Sequence, residues 1–233
     1  MSMWVAHANM PWAEPLAVAA RFSGHDMALL YSGVHEPFSG GLSYLFIHPL
    51  ETISGDEWAA LPALPETSDG LPLWVGHLGY GMRDDATRSA PSPVTLPDFF
   101  LTRYAELYRF HHAQKTIEHF VAQDAANARV SDPIGESLDR SQDGHEAISN
   151  PQEAPRARPP AISGLTSNFT RAAYESVIAK TIEHIHAGNF YQANITRKFY
   201  GQFAHAPNSW KIFEALCAAS PAPYSAYIRS GTK

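Results

Sequence analysis

Residues Ser167–Phe199 read SNFTRAAYESVIAKTIEHIHAGNFYQANITRKF, and residues Asn208–Ile228 read NSWKIFEALCAASPAPYSAYI. The first stretch spells a capped helix, a glycine stop and a change of period. Thr170 is the expected N-cap, because its hydroxyl can accept from a free backbone N–H of the first turn. The full capping box is absent, since Ala173 stands where Glu or Gln would complete it. Tyr174, Val177, Ile178, Ile182 and Ile185 fall on one face at helical spacing. Gly188 follows the last of them, where a left-handed stop costs glycine least. From Phe190 to Tyr200 the period becomes two, with Tyr191, Ala193, Ile195 and Phe199 on one side and Gln192, Asn194 and Thr196 on the other. That spacing predicts a strand with a polar row. Two readings compete for the row: a face turned to water, or a cavity lining whose amides each need a partner.

The second stretch continues with a helix from Asn208 or Ser209 to Ala219, with Trp210, Phe213, Leu216 and Cys217 on its apolar face. Ser220-Pro221 ends it. Tyr224 to Ile228 then reads as a strand entered through the turn Pro221-Ala222-Pro223.

Working outward, the 233 residues suffice for one large domain or two small ones, and a hydrophobic content of 45% is that of an ordinary globular chain. The net charge of −6 gives no basic footprint for nucleic acid. No apolar run reaches bilayer length, and MSMWVAHANMPW lacks the basic and apolar regions of a secretory signal, so a reducing cytoplasm is the expected compartment. The single cysteine, Cys217, excludes an intrachain disulfide and reads as a small buried hydrophobe. The twelve histidines show no metal-ligand spacing, so no metal site is expected from them.

Upstream, residues 14–22 fit a short helix and Met27 to Gly33 a strand running into a turn. His35 to Gly41 is a loop, and Leu42 to His48 is a second strand that Pro49 is expected to end. The glycine-rich loop between the two strands argues for antiparallel pairing. Asp56 to Trp58 opens a short helix. LWVGHLGYGM at Leu73–Met82 lacks phosphate-loop order, and its glycines are expected to permit close backbone packing. Arg83 to Asp85 is a polar loop. Phe100–Phe110 and Lys115–Val121 form a strand pair around a short turn. From Gln123 to Gly164 the composition turns to Ala, Asp, Ser, Arg and Pro, as in a mobile connection. The chain divides accordingly into residues 1–122, a linker at 123–164 and a region at 165–233.

The motifs in this order resemble the chorismate-utilising enzymes, namely component I of aminodeoxychorismate synthase and of anthranilate synthase with the related isochorismate and salicylate synthases. Gly188, Asn189, Tyr191, Gln192, Asn194, Ile195 and Thr196 match the family's Gly-Asn-x-Tyr-Gln-x-Asn-Leu-Thr pattern. Ser220 to Tyr227 matches its Asn-Pro-x-Pro-Tyr-x-Ala-Tyr pattern. Leu29 to Gly33 is similar to its Leu-Leu-x-Ser motif, and Gly41 to Tyr44 with His48-Pro49 to its Gly-Arg-Tyr-Ser segment, Leu42 departing from the usual residue. Gly76 to Asp84 is similar to its glycine-rich stretch, with Gly81 in place of the usual Asp. The compact N-terminal region leans toward aminodeoxychorismate synthase, with anthranilate synthase as the alternative.

The resemblance implies an α+β fold of antiparallel β-sheets with packed helices, broken off before it is complete. It implies amination of chorismate with ammonia from a glutamine amidotransferase subunit, and magnesium as the metal of the full-length enzyme. The family's catalytic segments, its histidine base and its magnesium-binding glutamates do not occur in these residues. No catalytic or metal-binding residue is therefore expected here, and the chain alone is expected to be inactive. Many members also bind tryptophan between the Leu-Leu-x-Ser strand and the Pro-x-Pro-Tyr turn, and the matching positions are Leu30, Tyr31, Ser32, Ser43, Tyr44, Pro223 and Tyr224. Tyr31 replaces the glutamate common in feedback-sensitive anthranilate synthases, which removes a partner for the ligand's ammonium. The other readings of these positions are ordinary core and turn residues, or a fragment that binds only a partner. Gln192, Asn194 and Thr196 remain the candidate cavity lining.

Overall fold

The computed structural model describes residues 3–34, 41–56, 58–64, 70–79, 96–125 and 161–231. In chain order these form β1 (Trp4–Pro11), α1 (Pro15–Ala20), β2 (Met27–Tyr31), β3 (Leu42–Gly55), β4 (Trp74–Leu78), β5 (Phe99–His111) and β6 (Thr116–Ala122). After them come β7 (Ile162–Ser167), α2 (Arg171–His186), β8 (Phe199–Phe203), α3 (Ser209–Ala219) and β9 (Ser225–Arg229). The expected α+β class with antiparallel sheets is what the structure has. The loop at 35–40, the polar loop at 83–85 and residues 126–160 of the expected linker lie outside the described residues. Two compact units result, Met1–Arg156 with Leu216–Lys233, and Ala157–Ala215.

The first unit is a seven-stranded sheet among the described residues, in the order β1-β6-β5-β3-β2-β9. β4 shares the outer edge of β5 with β6, pairing along Phe99–Arg103 while β6 pairs along Glu106–His111. Every pairing is antiparallel. One face carries Ala28, Phe46, Leu107 and Phe120 directly opposite one another across four strands, all buried. The other carries Leu29, Leu45, Tyr108 and His119 in the same way. β5 is buried at consecutive residues from Tyr104 to Tyr108, so it is covered on both faces. Its apolar alternation is imperfect in sequence for that reason.

β3 does not end at Pro49. It runs on to Gly55 through an irregularity between Pro49 and Glu51, with His48 in the left-handed region at φ 59. The bulge falls at Leu50, which has no ladder partner, immediately after Pro49 opposite Tyr104, and so a residue that stops an ordinary strand can stand inside this one. Glycine is required at Gly76, where an added Cβ would overlap the Phe100 carbonyl of β5. That is the close packing expected of the glycine-rich stretch.

The long-range pairing of the unit is β9 with β2, from Met27 opposite Arg229 to Tyr31 opposite Ser225. Arg229 Nη1 donates to the Ser23 carbonyl at 3.1 Å, and the Gly231 N–H donates to the Asp26 carboxylate at 2.9 Å. The end of β9 is thereby tied to the turn that leads into β2. The last strand of the region at 165–233 thus pairs within the first sheet.

In the second unit β7 pairs with β8, and α2 carries both expected caps. Thr170 Oγ1 accepts from the Ala173 N–H at 3.2 Å. Gly188 has φ 75, its N–H donates to the Ile185 carbonyl, and the Asn189 N–H donates to the His184 carbonyl, each at 3.0 Å. Those two bonds are a Schellman stop. Tyr174, Val177, Ile178 and Ile185 are half-buried on the expected face, whereas Ile182 is exposed. At 100° per residue Ile182 lies about 80° round the helix from Tyr174, at the edge of the stripe.

α3 opens on Asn208, whose side-chain oxygen accepts from the Lys211 N–H at 3.1 Å. Trp210, Phe213 and Cys217 are buried as expected, but Leu216 is exposed. Leu216 stands about 100° from Cys217 on the helical wheel.

The strand expected from Phe190 to Tyr200 is also corrected. Only its last two residues are strand, within β8, and residues 191–198 are irregular. Gln192, Asn194 and Thr196 are exposed, and Tyr191 is 91% exposed. Alternation sets which way side chains point once a ladder exists; it does not supply the ladder's other strand. In the described structure β7 offers a partner only to β8.

Candidate functional site

The seam between β3, β2 and β9 is the place where the sequence motifs converge. Leu30 stands directly opposite Tyr44 on β3 and opposite Ala226 on β9. These three side chains share a face. Together with Tyr31, Leu42, Pro223, Tyr224 and Ser225 they line a hollow of about 280 Å³ with mostly apolar walls. The proline-bracketed turn forms its rim, because the Gly33 N–H donates to the Ala222 carbonyl at 2.9 Å. A Cβ on Gly33 would lie 3.1 Å from the Tyr31 ring and 3.3 Å from that carbonyl, so the approach of strand end and turn is one that glycine suits. Tyr224 is 76% exposed and makes the outer lip. Tyr44 stacks on Phe46 with ring centroids 6.4 Å apart, which holds its ring against the sheet.

Both inner tyrosines keep their protons. Burial pushes the Tyr31 phenol up from its ordinary value, with Cys217 and Glu14 adding to the shift. Burial does the same for Tyr44, the Arg109 guanidinium pulling the other way. A neutral phenol can donate as well as accept, so Tyr44 gives the wall a hydroxyl, while Tyr31 alternates to the other face of β2 with its ring 6.5 Å from that of His112. A flat apolar ligand bearing a few polar groups suits such a wall.

Five of the seven expected pocket residues line this hollow: Leu30, Tyr31, Tyr44, Pro223 and Tyr224. Ser32 and Ser43 stand behind it, both fully buried. Ser43 Oγ accepts from the Ser32 N–H at 2.9 Å and lies 2.8 Å from His112 Nε2, while Ser32 Oγ donates to the Val34 carbonyl at 3.0 Å. Strand alternation explains the placement, since Ser43 lies between Leu42 and Tyr44 and must point to the opposite face. The Ser43 hydroxyl is committed to holding the end of β2 against β3, and the Ser32 hydroxyl to the turn at Val34. Sequence reasoning missed Leu42, Ser225 and Ala226. Leu42 was findable by stepping two residues back from Tyr44, and Ala226 by the same step forward from Tyr224. His112 was not findable, because nothing local marks it as the partner of Ser43.

Gln192, Asn194 and Thr196 do not line this hollow. Among the described residues no group of three His, Cys, Asp or Glu side chains is placed to hold a metal ion. A titratable cluster among the described residues forms a bonded network in the sheet. Glu106, buried, accepts from the Tyr108 hydroxyl at 2.9 Å, and His48 Nδ1 and His119 Nε2 each stand 3.0 Å from its carboxylate. Its groups bond one another across β3, β5 and β6. No helix among the described residues is long and apolar enough to cross a membrane.

Comparison with known proteins gives a consistent family. Residues 41–233 match the model of the chorismate binding enzymes. The anthranilate synthase component 1 of Streptomyces coelicolor is 26% identical over 244 residues, covering 94% of this chain and 46% of that one. The aminodeoxychorismate synthase component 1 of Salmonella typhimurium is 27% identical over 190 residues, covering 78% of this chain and 37% of that one. The crystal structure of anthranilate synthase component I from Streptococcus pneumoniae aligns with a TM-score of 0.47 at 16% identity, over 81% of this chain and 47% of that one. The chain thus spans less than half the length of these relatives. With the match extending over residues 41–233, the chain belongs to the chorismate binding enzyme family.

Proposed function

We propose that these residues are the amino-terminal portion of an aminodeoxychorismate synthase component I, and that their own role is to hold a tryptophan-sized ligand. The full-length protein would aminate chorismate with ammonia from a glutamine amidotransferase subunit in the cytoplasm, on magnesium-binding and catalytic residues outside this sequence. The observation that carries the reading is the meeting of β2 and β9. Two motifs nearly 200 residues apart in sequence build one aromatic-walled hollow of about 280 Å³. An indole fits such walls, and the Tyr44 hydroxyl with Ser225 offers polar partners. The resemblance puts Tyr31 at the position where feedback-sensitive anthranilate synthases carry a glutamate. That favours a retained ligand over a feedback sensor of the anthranilate synthase kind, which is the second reading.

Two measurements test this. Titration calorimetry of the purified chain with L-tryptophan should register binding, and no heat at millimolar ligand would count against it. Incubation of the chain with chorismate, ammonium and magnesium should yield no aminated product; robust turnover would refute the division of labour proposed. Expression of the full reading frame in a 4-aminobenzoate auxotroph and in a tryptophan auxotroph separates the two pathways, with rescue of the first expected.

A further inference from the structure

The two-stranded sheet of the second unit has an open edge with a definite chemistry. The Lys198 N–H donates to Asn168 Oδ1 at 2.8 Å, and the Lys198 carbonyl accepts from the Asn168 N–H at 3.1 Å. Alternate residues of a strand aim their backbone groups at the same edge. Lys198, Tyr200 and Gln202 therefore address β7, and the Gln202 carbonyl also accepts from Ser163 Oγ at 3.3 Å. The N–H and C=O groups of Phe199, Gly201 and Phe203 are left aimed outward, where no strand pairs with β8 among the described residues.

One face of this sheet is apolar and bare. Phe199 and Phe203 flank Gly201 on it, 55% and 37% exposed. Ile162 of β7 stands opposite Phe203. A Cβ on Gly201 would run into Ile162 and meet Leu165, so both aliphatic side chains lie on the same face. They too are exposed. Two strands with such a face are marginal in water, and further strands are what stabilise them.

The sequence of β8 selects the occupant. Reading FYGQF antiparallel to itself about Gly201 sets Gly201 opposite Gly201, and Phe199 opposite Phe203, of the second copy. These are the residues whose backbone groups point outward, so each opposed pair can exchange both of its hydrogen bonds. The phenylalanines meet as cross-strand aromatic pairs on either side of the glycines. A slip of two residues would instead set phenylalanine against glycine. The basic residues do not oppose one another, because Arg197 and Lys198 fall opposite His205 and Ala204 of the second copy. The edge strand β1 of the first sheet differs. It is interrupted by an irregularity between Ala6 and Ala8 and ends in Pro11, devices that discourage such pairing.

We infer that β8 is a homodimerisation edge, at which two copies of this chain pair antiparallel about Gly201 and join their two-stranded sheets into one. The contact is isologous, so it closes at two copies. It is independent of the hollow between β2 and β9.

Sedimentation equilibrium of the whole chain tests this, with hydrogen exchange at Phe199, Gly201 and Phe203 as a second readout. The wild type should show a monomer–dimer equilibrium, with those amides protected as dimer forms. Phe199→Lys combined with Phe203→Lys sets like charges opposite one another and should weaken dimerisation at least about tenfold. Phe199→Lys combined with Phe203→Glu sets opposite charges at the same places and should recover dimer relative to the first variant. A wild type that stays monomeric at millimolar concentration overturns the inference; protection of the same amides in that monomer would show a segment of its own chain on the edge. A dimer that both variants leave unchanged overturns β8 as its seat. A second variant that dimerises no better than the first overturns the pairing about Gly201. Should the first variant fail to fold, Phe199→Glu combined with Phe203→Glu takes its place in the same comparison.

Discussion

Replacing Tyr104 by Phe should stabilise the first unit, and by an amount that grows with pH. Tyr104 is fully buried on β5, its ring 5.9 Å from that of Phe46, and its hydroxyl has no hydrogen-bond partner among the described residues. The nearby Thr102 hydroxyl is bonded to Thr52 at 3.0 Å. It acts on the phenol through proximity without a bonding geometry. A buried hydroxyl without a partner costs about 1–3 kcal/mol, against which the oxygen's own packing is small. Tyr104→Phe should therefore gain about 1 kcal/mol at neutral pH. Burial pushes the phenol from 10.0 up to about 12, with Asp26 adding to the shift and Thr102 opposing it. A raised pKa means that the folded state keeps its proton after the unfolded state has lost it. The associated stability is complete below the unfolded value of 10.0 and is lost as pH rises toward the folded value of about 12. The shift corresponds to at most about 2.7 kcal/mol, less where solvent screens the ring. The advantage of Phe should thus widen from about 1 kcal/mol at neutral pH to about 3 kcal/mol near the upper end of that window. Urea unfolding followed by tryptophan fluorescence, in both proteins across that range, measures it. A Tyr104→Phe protein less stable than wild type at neutral pH, or a difference that does not change with pH, would refute the reasoning.

Two further outcomes follow from the same sheet. Gly76→Ala forces a Cβ into the Phe100 carbonyl, and neither backbone can yield without breaking the β4–β5 ladder. A loss of about 3 kcal/mol, the upper end of overpacking costs, is expected in a thermal or urea melt, with β4 losing hydrogen-exchange protection first; a wild-type melt would show that β4 is not held there. Glu118 has its carboxyl depressed chiefly by Arg109, so its contribution is present above the ordinary glutamate value and is lost as pH falls through the depressed one. Glu118→Gln should therefore flatten the acid limb of the stability curve, and an unchanged limb would show that the Arg109–Glu118 pair does not support the fold.

What could be read in the sequence was whatever a segment decides by itself. Thr170 and Gly188 bracket α2 because a cap and a left-handed stop are local chemistry, each settled within a few residues. The β2–β3 and β5–β6 ladders were likewise legible, since short connections leave antiparallel pairing as the simple outcome. The strand failures required a partner from elsewhere. The alternation from Tyr191 to Thr196 is as regular as that of β3, yet only β8 found a ladder. Pro49 ends a strand on its own terms, but β5 pairs on both sides of it and the strand bends through a bulge. Leu216 and Ile182 were misjudged because a stripe of about two to three turns does not define its edges to better than about one residue in angle.

The candidate site divides along the same line, and the division bears on what the site can do. Which residues approach the hollow follows from motifs, but which face they present follows from pairing. Ser32 and Ser43 belong to the motif and are turned inward, where Ser43 joins the Ser32 N–H to His112 across three strands. Arg109 belongs to no motif; β5 places it opposite Tyr44, and its guanidinium lies over β6, on Glu118 and Phe120. Polar groups named by the motif thus build the seam, and the hollow's walls are left to Leu30, Leu42, Tyr44 and Ala226. Ligand preference in this protein should accordingly respond to substitutions at Leu30 and Tyr44 more than to substitutions at the two serines. Changes at Ser32 or Ser43 should instead loosen the β2–β3 junction and weaken all ligands alike.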